Sequence, residues 1–169
     1  MSGIPASQSL AEDLAAQLVA QLAANGRTLA TAESCTGGWI AQAITSVSGS
    51  SDVFPGGIVS YANRAKVELL GVSQATLDEH GAVSQQTVIE MATGARERFH
   101  SDYAVAVSGI AGPGGGTADK PVGTVWISWL GPDGVSTKLC HFEGDREAVR
   151  IATVCLALHT LLDIVRKQG

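Results

Sequence analysis

Serine, lysine and glycine carry the chemistry this sequence could do. Thr28-Leu-Ala-Thr-Ala-Glu-Ser-Cys-Thr-Gly-Gly-Trp-Ile40 reads as a short apolar strand that runs into a helix through a turn of hydroxyl, thiol and glycine groups. A strand end followed by a helix start leaves backbone N–H groups unpaired under a partial positive charge, which favours an anion or a developing oxyanion. Ser34, Cys35 and Thr36 would supply a nucleophile or hydrogen-bond partners. Gly37 and Gly38, lacking a Cβ, would let a ligand approach the main chain. The same residues also make an ordinary capped helix start.

A serine nucleophile needs a base, and histidine is its usual partner. None of His80, His100, His141 and His159 is spaced to serve a serine-bearing loop. Lysine is the alternative, because a serine–lysine pair follows the same logic. Lys66 follows the strand end Ser60-Tyr61-Ala-Asn63. Desolvated there, or set beside Arg64, its pKa would be pushed toward the working pH, as a base requires. The plain alternative is a solvated helix lysine. Neither Ser-x-x-Lys nor Gly-x-Ser-x-Gly occurs, so the β-lactamase and α/β-hydrolase signatures are absent. Cys35, at a helix start that stabilises a thiolate, offers a third choice of nucleophile.

These groups must be positioned by regular elements. Leu10, Leu14, Leu18 and Leu22 predict an amphipathic helix over Ser7–Asn25, with Gly26 as its stop. Strands follow at Thr28–Ala32 and Gly57–Tyr61 with a helix between them at Gly38–Val47. Helices are expected at Arg64–Leu70, Ser73–His80 and Ser84–Phe99. Tyr103-Ala-Val-Ala-Val-Ser108 has the unbroken apolar character of a strand covered on both faces. Gly109-Ile-Ala-Gly-Pro-Gly-Gly-Gly116 can only be a loop, at the carboxyl end of that strand, where open α/β sheets bind ligands. Val122–Leu130 and Val135–Phe142 flank Gly131-Pro-Asp-Gly134 as a hairpin. Asp145 is placed to cap a last helix, Arg146–Arg166. The expected fold is a three-layer α/β/α sandwich around a mixed, mostly parallel sheet of about five strands, with an antiparallel hairpin at one edge. Three loops are expected at one end of that sheet: the Ser34 turn, the Gly49-Ser-Ser51 segment leading into Tyr61–Lys66, and Ser108–Gly116.

At 169 residues with 45% hydrophobic content, the chain suits a single domain over 1–169. A net charge of −5 gives no field to hold a nucleic-acid backbone. Three cysteines without Cys-x-x-Cys spacing argue against both a disulfide framework and a zinc ribbon. The glycine loop matches neither the dinucleotide fingerprint nor a P-loop, and no metal-ligand pattern is present, so neither metal nor cofactor is expected. With no signal-like segment and no long uninterrupted apolar run, a cytoplasmic protein away from the membrane is expected. Trp39, Trp126 and Trp129 exceed what one small core readily hides. They predict a homo-oligomer, most simply a dimer, in contact through the Trp39 helix or the Val122–Leu130 strand.

Several motifs coincide in order: Thr31-Ala-Glu-Ser-Cys-Thr-Gly-Gly38, Gly49-Ser-Ser51, Ser60-Tyr61 to Lys66, Glu79-His-Gly-Ala-Val-Ser84, Ser108-Gly-Ile-Ala-Gly-Pro113, Lys120-Pro-Val-Gly-Thr124 and Gly144-Asp-Arg146. Together, over about residues 10–164, the chain resembles the C-terminal domain of the CinA family, whose stand-alone members are nicotinamide-nucleotide amidases. The resemblance implies metal-independent hydrolysis of nicotinamide mononucleotide to nicotinate mononucleotide and ammonia by a Ser/Lys dyad, in pyridine-nucleotide salvage. Lys66 matches the family lysine. Ser51 and Ser34 both lie in matching motifs, with Ser51 preferred as nucleophile and Ser34 the second choice or a hydrogen-bond donor. Tyr61 and Ser108 match positions expected in the same pocket. Longer members carry a further N-terminal domain, whose activities are not carried over.

Such a substrate is a phosphate dianion joined to a pyridinium cation. Its phosphate would be met by helix-end N–H groups at the two glycine turns, Gly37-Gly38 and Gly109–Gly112, or by Arg146 or Arg150. The N–H groups around Gly37 or Gly109 would form an oxyanion hole. A non-catalytic nucleotide-binding or regulatory module is the competing reading.

Overall fold

Residues 5–168 are described by a computed structural model. Leu14, Leu18 and Leu22 are buried along one face of α1 (Gln8–Ala24), whose first turn is capped by Ser7 Oγ accepting from Leu10 N. The chain continues through β1 (Leu29–Glu33), α2 (Trp39–Thr45), a 3-10 turn at Ser50–Asp52, β2 (Gly56–Val59), α3 (Asn63–Leu70), α4 (Gln74–His80) and α5 (Gln85–Phe99). It closes with β3 (Tyr103–Gly109), β4 (Thr124–Gly131), β5 (Gly134–His141) and α6 (Arg146–Gln168).

One sheet runs in the order β2-β1-β3-β4-β5. β2, β1 and β3 are parallel and β4 pairs antiparallel with both β3 and β5, so four of the five strands share a direction. Helices α1, α2 and α6 pack with Leu29, Val105, Val107 and Ile127 on one face of the sheet. Helices α3, α4 and α5 pack with Ala30, Ala32, Ala104 and Ala106 on the other. β1 and all but the last residue of β3 are buried on both faces. The expected three-layer mixed sandwich is what forms, and the hairpin closes tightly, with Gly131 paired to Gly134 across Pro132 and Asp133.

Two features bear on the membrane and assembly expectations. Although charges interrupt its sequence, α6 is by length and composition apolar enough to cross a bilayer. Its apolar face is spent inside the protein: Val149, Leu158, Leu161 and Val165 are buried, which makes it a core helix. Of the three tryptophans, one is buried and two are half-buried. Trp129 is buried and donates its indole N–H to Ala157 O at 2.9 Å. Trp39 is half-buried and donates to Gln8 Oε1 at 2.7 Å.

The second layer depends on one close approach. Gly94 in α5 lies against the carbonyl of Leu70, the last residue of α3, and a Cβ at Gly94 would run into that backbone. Gly94→Ala is therefore expected to destabilise the fold by about 1–3 kcal/mol, the scale of overpacking against an element that cannot yield. Urea unfolding checks this, and an unchanged midpoint would mean that α3 shifts freely.

Candidate active site

β1 leads through α2 to β2 on one side, and the chain then returns through α3–α5 to β3 on the other. The carboxyl ends of β1 and β3 thus flank the point where the strand order reverses, where open α/β sheets form ligand crevices. A pocket of about 180 Å³ lies there. It is lined by Ser34 after β1, by Tyr61, Asn63 and Lys66 after β2, by Ser108 and Gly109 at the end of β3, and by Arg146 at the start of α6.

Lys66 is the fourth residue of α3 and only 1% exposed. Side chains on a helix point back toward its N-terminus, which here aims the amine at the strand ends. Lys66 Nζ lies 3.0 Å from Ser34 Oγ, and donates to Ser60 O at 2.7 Å and to Tyr61 O at 3.5 Å. No carboxylate pairs with it among the described residues. Burial without a counter-ion pushes the amine down to about 8. The hydroxyl of Ser60 is itself buried with no partner among the described residues.

Ser51 is not part of this pocket. It is exposed in the 3-10 turn that precedes β2. Leu29 N at the start of β1 donates to Val53 O just beyond that turn, which sets Ser51 at the amino ends of the parallel strands. Ser34 sits at their carboxyl ends. Five strand residues at about 3.3 Å each separate the two levels.

The turn after Ser34 is also built differently from expectation. The donors at the start of α2 are taken by the protein's own carboxylate: Glu33 accepts from Thr36 Oγ1 at 2.7 Å, from Ile40 N at 2.8 Å and from Ala41 N at 2.9 Å. This helix end is not open to a phosphate. Thr36 is fully buried behind it. Gly37 N donates to Ser34 O at 3.0 Å and so is not a free oxyanion donor. Gly37 and Gly38 lie outside the pocket lining, with the left-handed φ of +62° and +96° that the turn requires. Cys35 does line the pocket, but burial pushes its thiol up to about 12, against a thiolate nucleophile.

The two arginines separate. Arg146 lines the pocket and donates to Tyr61 Oη and to Gly112 O, both at 2.8 Å, tying the glycine loop to the segment after β2. Arg150 does not line it. Its Nε and Nη2 donate to Cys35 O and Thr36 O, each at 3.0 Å, and the guanidinium stacks over Trp39 at 5.2 Å. Ser108 lies in the pocket and donates to Ala82 O at 2.7 Å.

Asn63, Ala82, Val83 and Ala111 line the pocket as well and were not singled out from the sequence. Ala82 and Val83 belong to Glu79-His-Gly-Ala-Val-Ser84, one of the motifs carrying the resemblance, which was the available signal. Glu33 lies in another of those motifs, Thr31-Ala-Glu-Ser-Cys-Thr-Gly-Gly38, but a glutamate ending an apolar strand reads as an exit to solvent.

The family model described as the CinA C-terminal domain matches residues 11–165. The chain belongs to this family. It is 52% identical over 157 residues, 92% of this chain and 96% of the relative, to "Nicotinamide-nucleotide amidohydrolase PncC" of Enterobacter agglomerans. It is 50% identical over 150 residues, 88% of this chain and 90% of the relative, to the protein of that name in Escherichia coli K12. A CinA-like protein of Geotalea daltonii matches at 54% over 136 residues, with 80% of this chain covering 33% of that longer protein. Among solved structures of the family, the competence/damage inducible protein CihA from Agrobacterium tumefaciens superposes with a TM-score of 0.89 at 44% identity, over 97% of this chain and 99% of that one.

The buried, neutral state of Cys35 has a direct consequence. In the native protein at neutral pH, intact-mass analysis with iodoacetamide should show Cys35 unmodified over hours, while the urea-unfolded chain takes up adducts at all three cysteines. Rapid native labelling of Cys35 would contradict a thiol held in this form.

Proposed function

We propose that this protein is a nicotinamide-nucleotide amidase that converts nicotinamide mononucleotide to nicotinate mononucleotide and ammonia, with Ser34 as nucleophile and Lys66 as base. The observation that carries the reading is the 3.0 Å contact of Lys66 Nζ with Ser34 Oγ inside a strand-end pocket. The names of the two PncC relatives, which match nearly end to end, support the substrate.

A neutral lysine amine has two N–H groups and one lone pair. The carbonyls of Ser60 and Tyr61 accept the N–H groups, which turns the lone pair toward the Ser34 hydroxyl. Ser34 Oγ attacks the carboxamide carbon as its proton passes to Lys66. The carbonyl oxygen becomes an oxyanion. The main-chain N–H groups of Cys35 and Thr36, which donate to no carbonyl among the described residues, are its nearest candidates for stabilisation. Collapse of the intermediate breaks the C–N bond, and Lys66 returns the proton to the departing nitrogen, releasing ammonia. A water molecule then gives a proton to Lys66 and its oxygen to the acyl carbon. The proton returns to Ser34 Oγ as nicotinate mononucleotide leaves.

The cavity is smaller than the 300–1,000 Å³ typical of sites that enclose a whole ligand, so it suits the carboxamide and ring. The ribosyl phosphate then falls at the mouth beside Arg146. In this reading the protein acts in the cytoplasm, in pyridine-nucleotide (NAD) salvage, as a homo-oligomer. The exposed apolar surface suited to self-contact is Val135 and Leu139 of β5, on the sheet face that also carries half-buried Trp126 and Leu130.

Ammonia release from nicotinamide mononucleotide tests the assignment. Ser34→Ala and Lys66→Ala should each lower kcat by roughly 10³-fold or more, and Lys66→Arg should fail as well because arginine does not deprotonate. Ser51→Ala should keep near-normal kcat. The reverse ranking of the serines would return the nucleophile to Ser51. Because the base must be neutral and its pKa is lowered to about 8, kcat/KM should rise with pH through about 8 and fall roughly tenfold for each pH unit below it. A flat profile across that range would remove Lys66 as the base. For the assembly, light scattering at micromolar concentration should give a multiple of the 17.3 kDa chain mass, and a monomer mass would reject the oligomer.

A further inference from the structure

Ser34 is carried on a turn gripped from two sides by side chains that do not line the cavity. On the inner side is Glu33, 1% exposed, whose two carboxylate oxygens take the Thr36 hydroxyl and the N–H groups of Ile40 and Ala41. A helix is usually capped by the side chain just before it. Here that position is Gly38, which has none, and the cap comes from the last residue of β1. One carboxylate thus fastens strand, turn and helix into a single unit. On the outer side, Arg150 reaches across from α6 and places two donors of its fork on the consecutive carbonyls of Cys35 and Thr36. The stacked ring of Trp39 holds the guanidinium in that plane.

The fit is close on this side. A Cβ on Gly37 would stand 3.3 Å from Arg150 Nη2, so the turn is shaped around the guanidinium. Within the turn, Ser34 N donates to Val107 O on β3, and Gly37 N returns to Ser34 O. Besides that internal bond, the turn is held by Glu33, by Arg150 and by the neighbouring strand β3. We propose that Glu33 and Arg150 are positioning residues for the Ser34 nucleophile, holding its turn so that Oγ rests on the lysine amine. This rests on the serine–lysine reading above. Neither residue touches substrate in this assignment. They act through geometry, where a displacement of about 1 Å at the reacting atom costs on the order of 10²-fold in rate.

The test is steady-state kinetics on nicotinamide mononucleotide for Glu33→Gln and Arg150→Lys, with thermal unfolding followed in parallel and Ser34→Ala as reference. Glutamine keeps the size of Glu33 but turns an NH2 group toward the donor of Ala41 or of Ile40. Lysine keeps the charge of Arg150 but loses the fork that serves two carbonyls. Well below the unfolding temperature, each variant should lose about tenfold to a hundredfold in kcat with KM within about twofold. Arg146→Ala, at the pocket mouth, should instead raise KM. A lowered melting temperature with wild-type kcat in both variants would mark Glu33 and Arg150 as merely structural and overturn the proposal. If Glu33→Gln does not fold, the kcat of Arg150→Lys decides by the same criterion. Ser34→Ala separates the two readings. Full activity in that variant sinks the serine–lysine assignment itself. An inactive Ser34→Ala beside fully active positioning variants sinks only the proposal about Glu33 and Arg150.

Discussion

A lysine amine buried among carbonyls and a hydroxyl, with no carboxylate beside it among the described residues, is the constraint around which this molecule is arranged. Water would keep such a group charged, and a neighbouring aspartate would do the same. Both are avoided by geometry. β2 ends just before Ser60, whose carbonyl faces inward, and α3 begins soon enough afterwards that Lys66 lies one turn inside it and points back over the strand ends. β1 delivers Ser34 to the same level because β1 and β2 are parallel neighbours in register, Glu33 opposite Val59. Parallel pairing brings two successive strand ends to one place, and α3, packed on α5 through Gly94, covers that place.

Much of this could be read from residue patterns. The leucines of α1, the unbroken apolar run of β3 and the Pro-Asp hairpin each carry a period or a turn signal strong enough to set an element within a residue or two. The pairing of Lys66 with one serine could not be read from the motifs, because Ser34 and Ser51 lie in similarly polar, glycine-bearing segments. Element order does distinguish them. A segment joining a helix to the next parallel strand lies at the amino ends of the strands, and a segment joining a strand to the next helix lies at their carboxyl ends. Ser51 is on the first kind of connection and Ser34 on the second.

The groups misread at the site were those whose charge is used internally. A helix start and two arginines suggest an anion site when only residue types are visible. In the folded chain the helix start is satisfied by Glu33 and Arg150 by main-chain carbonyls, leaving Arg146 at the opening. Burial was the missing information. The desolvated Glu33 carboxyl, held above its ordinary value by burial, is stable there only because its oxygens are met by donors on the turn it supports.

That saturated helix end bears on how an inhibitor should be built. A carboxylate or phosphonate warhead aimed at the Ser34 turn would look for helix-end donors that Glu33 already occupies. An uncharged electrophile gains more. A boronic acid or an aldehyde on a flat ring presents an empty or polarised centre to Ser34 Oγ and becomes anionic only after the bond has formed, beside a lysine that has just taken up the proton. Any negative charge on the scaffold belongs at the other end, within reach of Arg146.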